Sequence, residues 1–210
     1  MDELRLASLL CARLCHDLVG PVGAINNGLE LLAEQGPGPA DDIVELLVGS
    51  GGEATRRLQY YRAAYAAGGG VRSLDATRRI AQTMFAGGKV ALDWPENSAS
   101  DLAEHAELSR LVLNMILCAT EMLPRGGDVA LRFSTDFGGV PRVTAAGPAI
   151  KITDAARLSL AASADDEAVG PRTIVFYLAA RLAASLGGVV ELTTPAPDTA
   201  ELSMTLQSRA

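Results

Sequence analysis

One helical periodicity persists from Asp2 to Gln35, where Leu14, Leu18, Val22, Ile25, Leu29 and Leu32 recur at steps of four and three. This is the stripe of one long amphipathic helix, ended by Gly36-Pro37-Gly38-Pro39, which cannot continue it. A helix of about 34 residues spans about 50 Å. Pro21 inside it removes one backbone hydrogen bond, so a bend beginning at Gly20 is expected. A second helix is expected from Asp41 or Asp42, where Asp42 and Glu45 resemble a capping box. Its stripe is Ile43, Leu47, Ser50, Ala54, Leu58, Tyr61 and Tyr65, and it runs to Gly68-Gly69-Gly70. Two long helices with a short connection form an antiparallel hairpin. Each stripe is covered by its one neighbour on one side only, which predicts a homodimer pairing two hairpins into a four-helix bundle. Gly49-Ser50-Gly51-Gly52 is the weak point, since each glycine costs about 1 kcal/mol relative to Ala. Either another backbone approaches there or the helix breaks.

Gly68 to Gly70 separates a hairpin, residues 1–70, from a second unit, residues 71–210. The second unit reads as short elements. Helices are expected near Asp75–Phe85, Leu102–Met122, Asp154–Ala162 and Arg172–Leu186. Strands are expected near Lys89–Trp94, Asp128–Thr135, Val140–Ala145, Val189–Thr194 and Glu201–Gln207. Helices on one face of a mixed or antiparallel sheet give an α+β fold.

Charge narrows the partners. The net charge is −7, and the 16 Arg and 2 Lys are scattered, which argues against nucleic acid and anionic membrane. The first residues carry no basic leader, no apolar stretch is expected to reach the 18 or so residues of a membrane span, and a cytoplasmic location follows. Cys11, Cys15 and Cys118 make no disulfide framework. Cys11 and Cys15 lack a second ligand pair, so packing at the core or its boundary is expected and no metal site is assigned.

Two histidines are present. His105 lies in the polar run Glu104-His105-Ala106-Glu107 with no motif around it. His16 lies on the first helix, about 160 to 180° from Leu14, Leu18 and Ile25 by helical arithmetic, and so points away from the stripe. Gly20, Gly23 and Asn27 fall within about 40° of it, so the surface beside the ring is bare backbone and small side chains. Imidazole offers an unprotonated nitrogen near neutral pH and so can act as a nucleophile. Asp17 is placed to orient the other ring N–H and to stabilise positive charge on the ring. Arg13, about 60° from His16, is read either as a group that neutralises the charge of a group transferred at the ring or as an ordinary solvated or salt-bridged surface arginine.

His16, Asp17 and Pro21 reproduce the spacing of the histidine-kinase H-box, whose His carries a phosphoryl group. The second unit resembles the ATP-binding domain of those kinases, the GHKL or Bergerat fold. Arg110 to Ala119 followed by Leu123-Pro124-Arg125-Gly126-Gly127 is similar to its N-box. Asn114 matches the first asparagine of that box. Cys118 stands at the asparagine that holds magnesium and Glu121 at the family's lysine. A thiol is a poor Mg²⁺ ligand and a carboxylate repels a triphosphate. Val143 to Ile150 looks like the G1 box, with Ala145 where an aspartate should accept the adenine amino group. The G2-box glycines fall on Thr173 and Val175. The resemblance therefore implies a Bergerat-like α/β sandwich that has lost its ATP site.

A hairpin with an H-box followed by such a domain looks like the ChpT-type histidine phosphotransferases, and the likeness covers nearly the whole chain. It implies a dimeric phosphoprotein of a two-component phosphorelay, with His16 as phosphoacceptor and Asp17 as its acidic neighbour. In that family a hybrid histidine kinase of the CckA type passes a phosphoryl group from its receiver domain to the phosphotransferase. The phosphotransferase then passes it to receiver domains of regulators such as CtrA and CpdR, which control the cell cycle. The resemblance implies no cofactor for this chain, with Mg²⁺ held in the partner receiver. Arg13, Gly20, Pro21, Gly23 and Asn27 form the expected docking set. Two rival readings are an ATP-dependent sensor kinase core and a non-catalytic dimeric adaptor that docks receivers.

Overall fold

The computed structural model describes residues 1–35, 40–65, 73–96, 106–134, 139–161 and 168–207. The Gly36–Pro39 connection, the Gly68–Gly70 boundary, His105 and residues 102–104 of the fourth expected helix region lie outside the described residues. Helices α1 (Glu3–Gln35) and α2 (Asp41–Tyr65) pack along each other as the expected hairpin. α1 stays helical through Pro21. The proline has no N–H to give the carbonyl of Asp17 four residues back, and the Arg57 guanidinium of α2 donates to that oxygen instead, at 2.8 Å. α2 runs unbroken through Gly49-Ser50-Gly51-Gly52, so the local break is corrected.

Burial redraws the α1 stripe. Leu14, Leu18 and Ile25 are half-buried, but Val22, Leu29 and Leu32, expected to face a core, are exposed. The seam of the hairpin is made instead by the buried Pro21, Gly28 and Ser50. At Gly28, Leu47 Cδ2 lies 2.9 Å from where a Cβ would stand. A close, narrow seam of small residues leaves the flanking apolar side chains outside it. Cys11 and Cys15 are likewise exposed, contrary to the expected packing, whereas Cys118 is buried. α1 is, by length and composition alone, apolar enough to cross a membrane, which corrects the expectation that no segment reaches that size.

The second unit follows the expected order closely. It comprises α3 (Leu74–Phe85), β1 (Val90–Asp93), α4 (Ala106–Glu121), β2 (Gly127–Phe133) and β3 (Pro141–Ala146). α5 (Asp154–Leu160), α6 (Ile174–Ser185), β4 (Gly188–Ala196) and β5 (Thr199–Leu206) complete it. The sheet order is β1-β2-β3-β5-β4, with β1 parallel to β2 and the other pairs antiparallel. Side chains alternate as a half-buried sheet requires. Val129 and Leu131, Val143 and Ala145, and Ala200, Leu202 and Met204 turn inward. Arg132 and Arg142 lie on the exposed face, where Arg142 pairs with Glu201 at 3.5 Å. α4 and α6 pack together against the inner face, and α4 is buried from Leu108 to Ala119 except at the half-buried Arg110.

The hairpin is rooted in this layer. Tyr60 and Ala64 of α2 are wholly buried in the same core, and Tyr60 donates its hydroxyl hydrogen to the Leu113 carbonyl of α4 at 2.8 Å. The fold is α+β, a helical N-terminal part joined to a mixed five-stranded α/β sandwich. That rooting sets the middle of α1, and with it His16, opposite the C-terminal end of α4.

Candidate functional site

The His16 side chain is 62% exposed, as its place opposite the half-buried leucines of α1 predicts. Its Nδ1 lies 2.9 Å from Asp17 Oδ1. Asp17 itself is held from several directions. Its Oδ2 accepts from Arg13 Nε at 2.6 Å and from the Tyr61 hydroxyl of α2. Arg57 donates to its backbone carbonyl. Burial raises the carboxyl's pKa, but the hydrogen bonds from Tyr61 and His16 and the charge of Arg13 outweigh it, and the net value lies below the ordinary carboxylate range. Asp17 is thus ionised at neutral pH. An ionised carboxylate can only accept, so Nδ1 carries the proton, and in the neutral ring the lone pair is on Nε2. This is the tautomer a ring nucleophile requires.

The depressed value also fixes a stability trend. A carboxyl whose folded pKa is lowered stabilises the fold above its unfolded pKa and loses that contribution as the pH falls towards the folded value. The difference in unfolding free energy between the wild-type protein and Asp17→Asn is therefore expected to be full at pH 7. It should shrink progressively on acidification below about pH 4, the ordinary carboxylate value. Urea unfolding across that range checks it, and a difference that stays constant would show that Asp17 is not held as an anion.

Arg13 and Pro21 stand elsewhere than expected. Arg13, expected at the surface beside His16, is 6% exposed, because its guanidinium is shared between Asp17 and Glu121 Oε1, the latter 2.6 Å from Nη1. Pro21 is buried in the α1–α2 seam, beside a hollow that it lines with His16, Asp17 and Gly20. Gly20 and Asn27 are exposed, Gly23 is half-buried, and a Cβ at either glycine would meet nothing within 4 Å. The bare surface expected beside His16 is present.

Four of the six positions matched to the ATP site are wholly buried. Asn114 is wholly buried, donating to the Ala64 carbonyl of α2 at 3.3 Å and to the Arg110 carbonyl at 2.8 Å. Cys118, Ala145 and Val175 are also wholly buried, and burial raises the Cys118 thiol pKa. Glu121 is committed to Arg13. Thr173 closes the turn before α6, accepting from the Gly170 N–H at 2.9 Å, and lines a hollow shared with Arg13 and His16.

Between the hairpin and the second unit lies a cleft of about 700 Å³. His16 and Asp17 stand at it together with the cationic Arg56, Arg57, Lys89 and Arg172. Sequence reasoning missed Arg57, Tyr61 and Arg172 as site residues. A signal for Arg57 existed: a proline inside a helix frees the carbonyl four residues earlier, and in a hairpin the donor comes from the facing helix. Tyr61 read only as part of a stripe, and the nearness of Arg172 depends on the tertiary fold.

Residues 74–198 match the family of the histidine phosphotransferase C-terminal domain. The protein named Protein phosphotransferase ChpT in Brucella abortus (strain 2308) is 39% identical over 135 residues, which make up 63% of this chain and 62% of that protein. A solved structure of a bacterial phosphotransferase is 29% identical and superposes with a TM-score of 0.78 over 98% of both chains.

Proposed function

The chain belongs to the histidine phosphotransferase family, and on that premise we propose that His16 carries a phosphoryl group between receiver domains. The donor is the aspartyl phosphate of a hybrid histidine kinase receiver of the CckA type. The acceptors are the aspartates of response-regulator receivers of the CtrA and CpdR type, in a relay of cell-cycle control. His16 Nε2 attacks phosphorus in line with the bond to the aspartyl oxygen. The N–P bond forms as the P–O bond breaks, and the electron pair leaves with the receiver carboxylate. The proton stays on Nδ1, where the ionised Asp17 stabilises the positive ring. The same steps in reverse load the next receiver. Little covalent work is asked of this chain, so positioning dominates. The single observation that carries the reading is an exposed imidazole held by one ring nitrogen on an ionised carboxylate.

No nucleotide enters this scheme. Asn114 is spent on the end of α2, Glu121 on Arg13, and Cys118, Ala145 and Val175 are sealed in the core. Mg²⁺ belongs to the partner receiver. Among the described residues, the burial of Asn114, Cys118, Ala145 and Val175 and the pairing of Glu121 with Arg13 weigh against the sensor-kinase alternative, and a pure docking adaptor leaves the His16–Asp17 pairing without a use. The protein acts as a cytoplasmic homodimer. Val19 of α1 and Val48 of α2, 68% and 70% exposed, belong to an apolar hairpin surface that a second hairpin would cover.

The test is incubation with prephosphorylated receiver domains in the absence of nucleotide. Phosphate is expected to move to residue 16 and, as a phosphoramidate, to resist base and hydrolyse in acid. Label on any other residue, or transfer only with added ATP, would sink the reading.

A further inference from the structure

Among the described residues, the ring of His16 is held by one hydrogen bond, so its orientation is only as good as that of Asp17. Asp17 is gripped more heavily than a surface carboxylate needs. One oxygen serves His16, while the other takes both Arg13 and Tyr61. Arg13 is in turn fixed by Glu121 at the C-terminal end of α4. Tyr61 is fixed by stacking on Tyr65, ring centroids 5.5 Å apart and planes within 6°, and by edge contact with the buried Tyr60. The chain of contacts crosses from the second unit to the hairpin, beginning at Glu121. A buried guanidinium between two carboxylates from different elements is costly to assemble unless its geometry is well satisfied. Here it ends on the group that sets the tautomer of the acceptor ring.

We propose that Tyr61, Arg13 and Glu121 are positioning residues for phosphoryl transfer at His16, acting through Asp17. The second unit then contributes to the chemistry by holding the carboxylate that aims the ring. This rests on the phosphotransfer reading above. In-line attack tolerates little misplacement, about 1 Å costing roughly a hundredfold in rate. Loosening one of several supports should therefore give an intermediate loss.

Two variants test it, Tyr61→Phe, which keeps the ring and loses the donor, and Glu121→Ala, which releases Arg13. Each is made in the wild-type and Asp17→Ala backgrounds, with circular dichroism to verify folding. The transfer rate at saturating phosphorylated receiver is expected to fall about tenfold in each, with the KM for that receiver unchanged. In the Asp17→Ala background neither variant should lower the rate further. Nitrogen-15 NMR of the imidazole gives a reading that needs no partner. His16 should be held as the Nδ1–H tautomer in the wild type and drift towards the Nε2–H form in both variants. A wild type that shows this tautomer pattern but accepts no phosphate would overturn the phosphotransfer reading and leave the positioning chain standing. Equal losses in the Asp17→Ala background, a change confined to KM, or an unaltered tautomer would overturn the positioning chain.

Discussion

A His16→Ala protein is expected to accept no phosphoryl group from an aspartyl-phosphate donor while keeping its fold and its melting temperature. The ring projects from the exposed side of α1 and makes one hydrogen bond. Asp17 keeps Arg13, Tyr61 and Arg57 without it. Alanine is the most favourable helix residue, so stability should change by no more than about 0.5 kcal/mol. The same variant settles whether the protein hydrolyses aspartyl phosphate. Kinases that dephosphorylate their regulators place a Thr or Asn four residues after the histidine, where it can orient a water. Here that position is Gly20, exposed and without a side chain. Phosphate release from a phosphorylated regulator should therefore proceed at the same rate with His16→Ala present as with the regulator alone. Retained acceptance would remove His16 from its role. Accelerated hydrolysis would reveal a water-orienting group, with Asn27 or Asp17 the first to test.

The elements were legible because their signals are local. The hairpin followed from two three-and-four stripes around a Gly-Pro pair, and every strand of the second unit from short alternating runs between turn residues. The position of each strand differs from expectation by only a few residues, as at β4, Gly188–Ala196. His16, Asp17 and the bare face beside them were legible for the same reason, since all lie within about three turns of one helix. What was not legible depends on contacts between elements. Arg13 looked like a surface charge because the wheel of α1 alone cannot show that Glu121, more than a hundred residues later, folds against it. Pro21 looked like part of a docking face because the wheel of α1 alone does not show which of its residues the packing of α2 buries. Val22, Leu29 and Leu32 looked like core because periodicity reports an apolar face without saying whether the same chain covers it. Glu121 read as damage to an ATP site, whereas in the fold it pairs with Arg13.

Filling the bare face next to His16 is expected to slow transfer strongly while leaving the fold as stable as before or more so. At Gly20 and Gly23 an added Cβ would meet nothing within 4 Å, and neither has a positive φ. Replacing either by Gln thus encounters no clash, and glycine in a helix interior is less favourable than Ala by about 0.5 to 1 kcal/mol, most of which Gln recovers. The partner sees the opposite. Gly20 stands one turn beyond His16 and Gly23 about two turns beyond it, so a long side chain at either enters the space a receiver must occupy to bring its phosphoaspartate to Nε2. Transfer from a phosphorylated receiver should drop by roughly tenfold or more, since a reacting group held about 1 Å out of place already costs about a hundredfold, while the melting temperature holds or rises. Gly28 is the contrasting case three turns along: there a Cβ would press on Leu47 at 2.9 Å, so Gly28→Ala should disturb hairpin packing and leave the approach to His16 open. Unchanged transfer in both Gly20→Gln and Gly23→Gln would mean that the receiver reaches His16 from the cleft side, past Arg57 and Arg172, and not over this face.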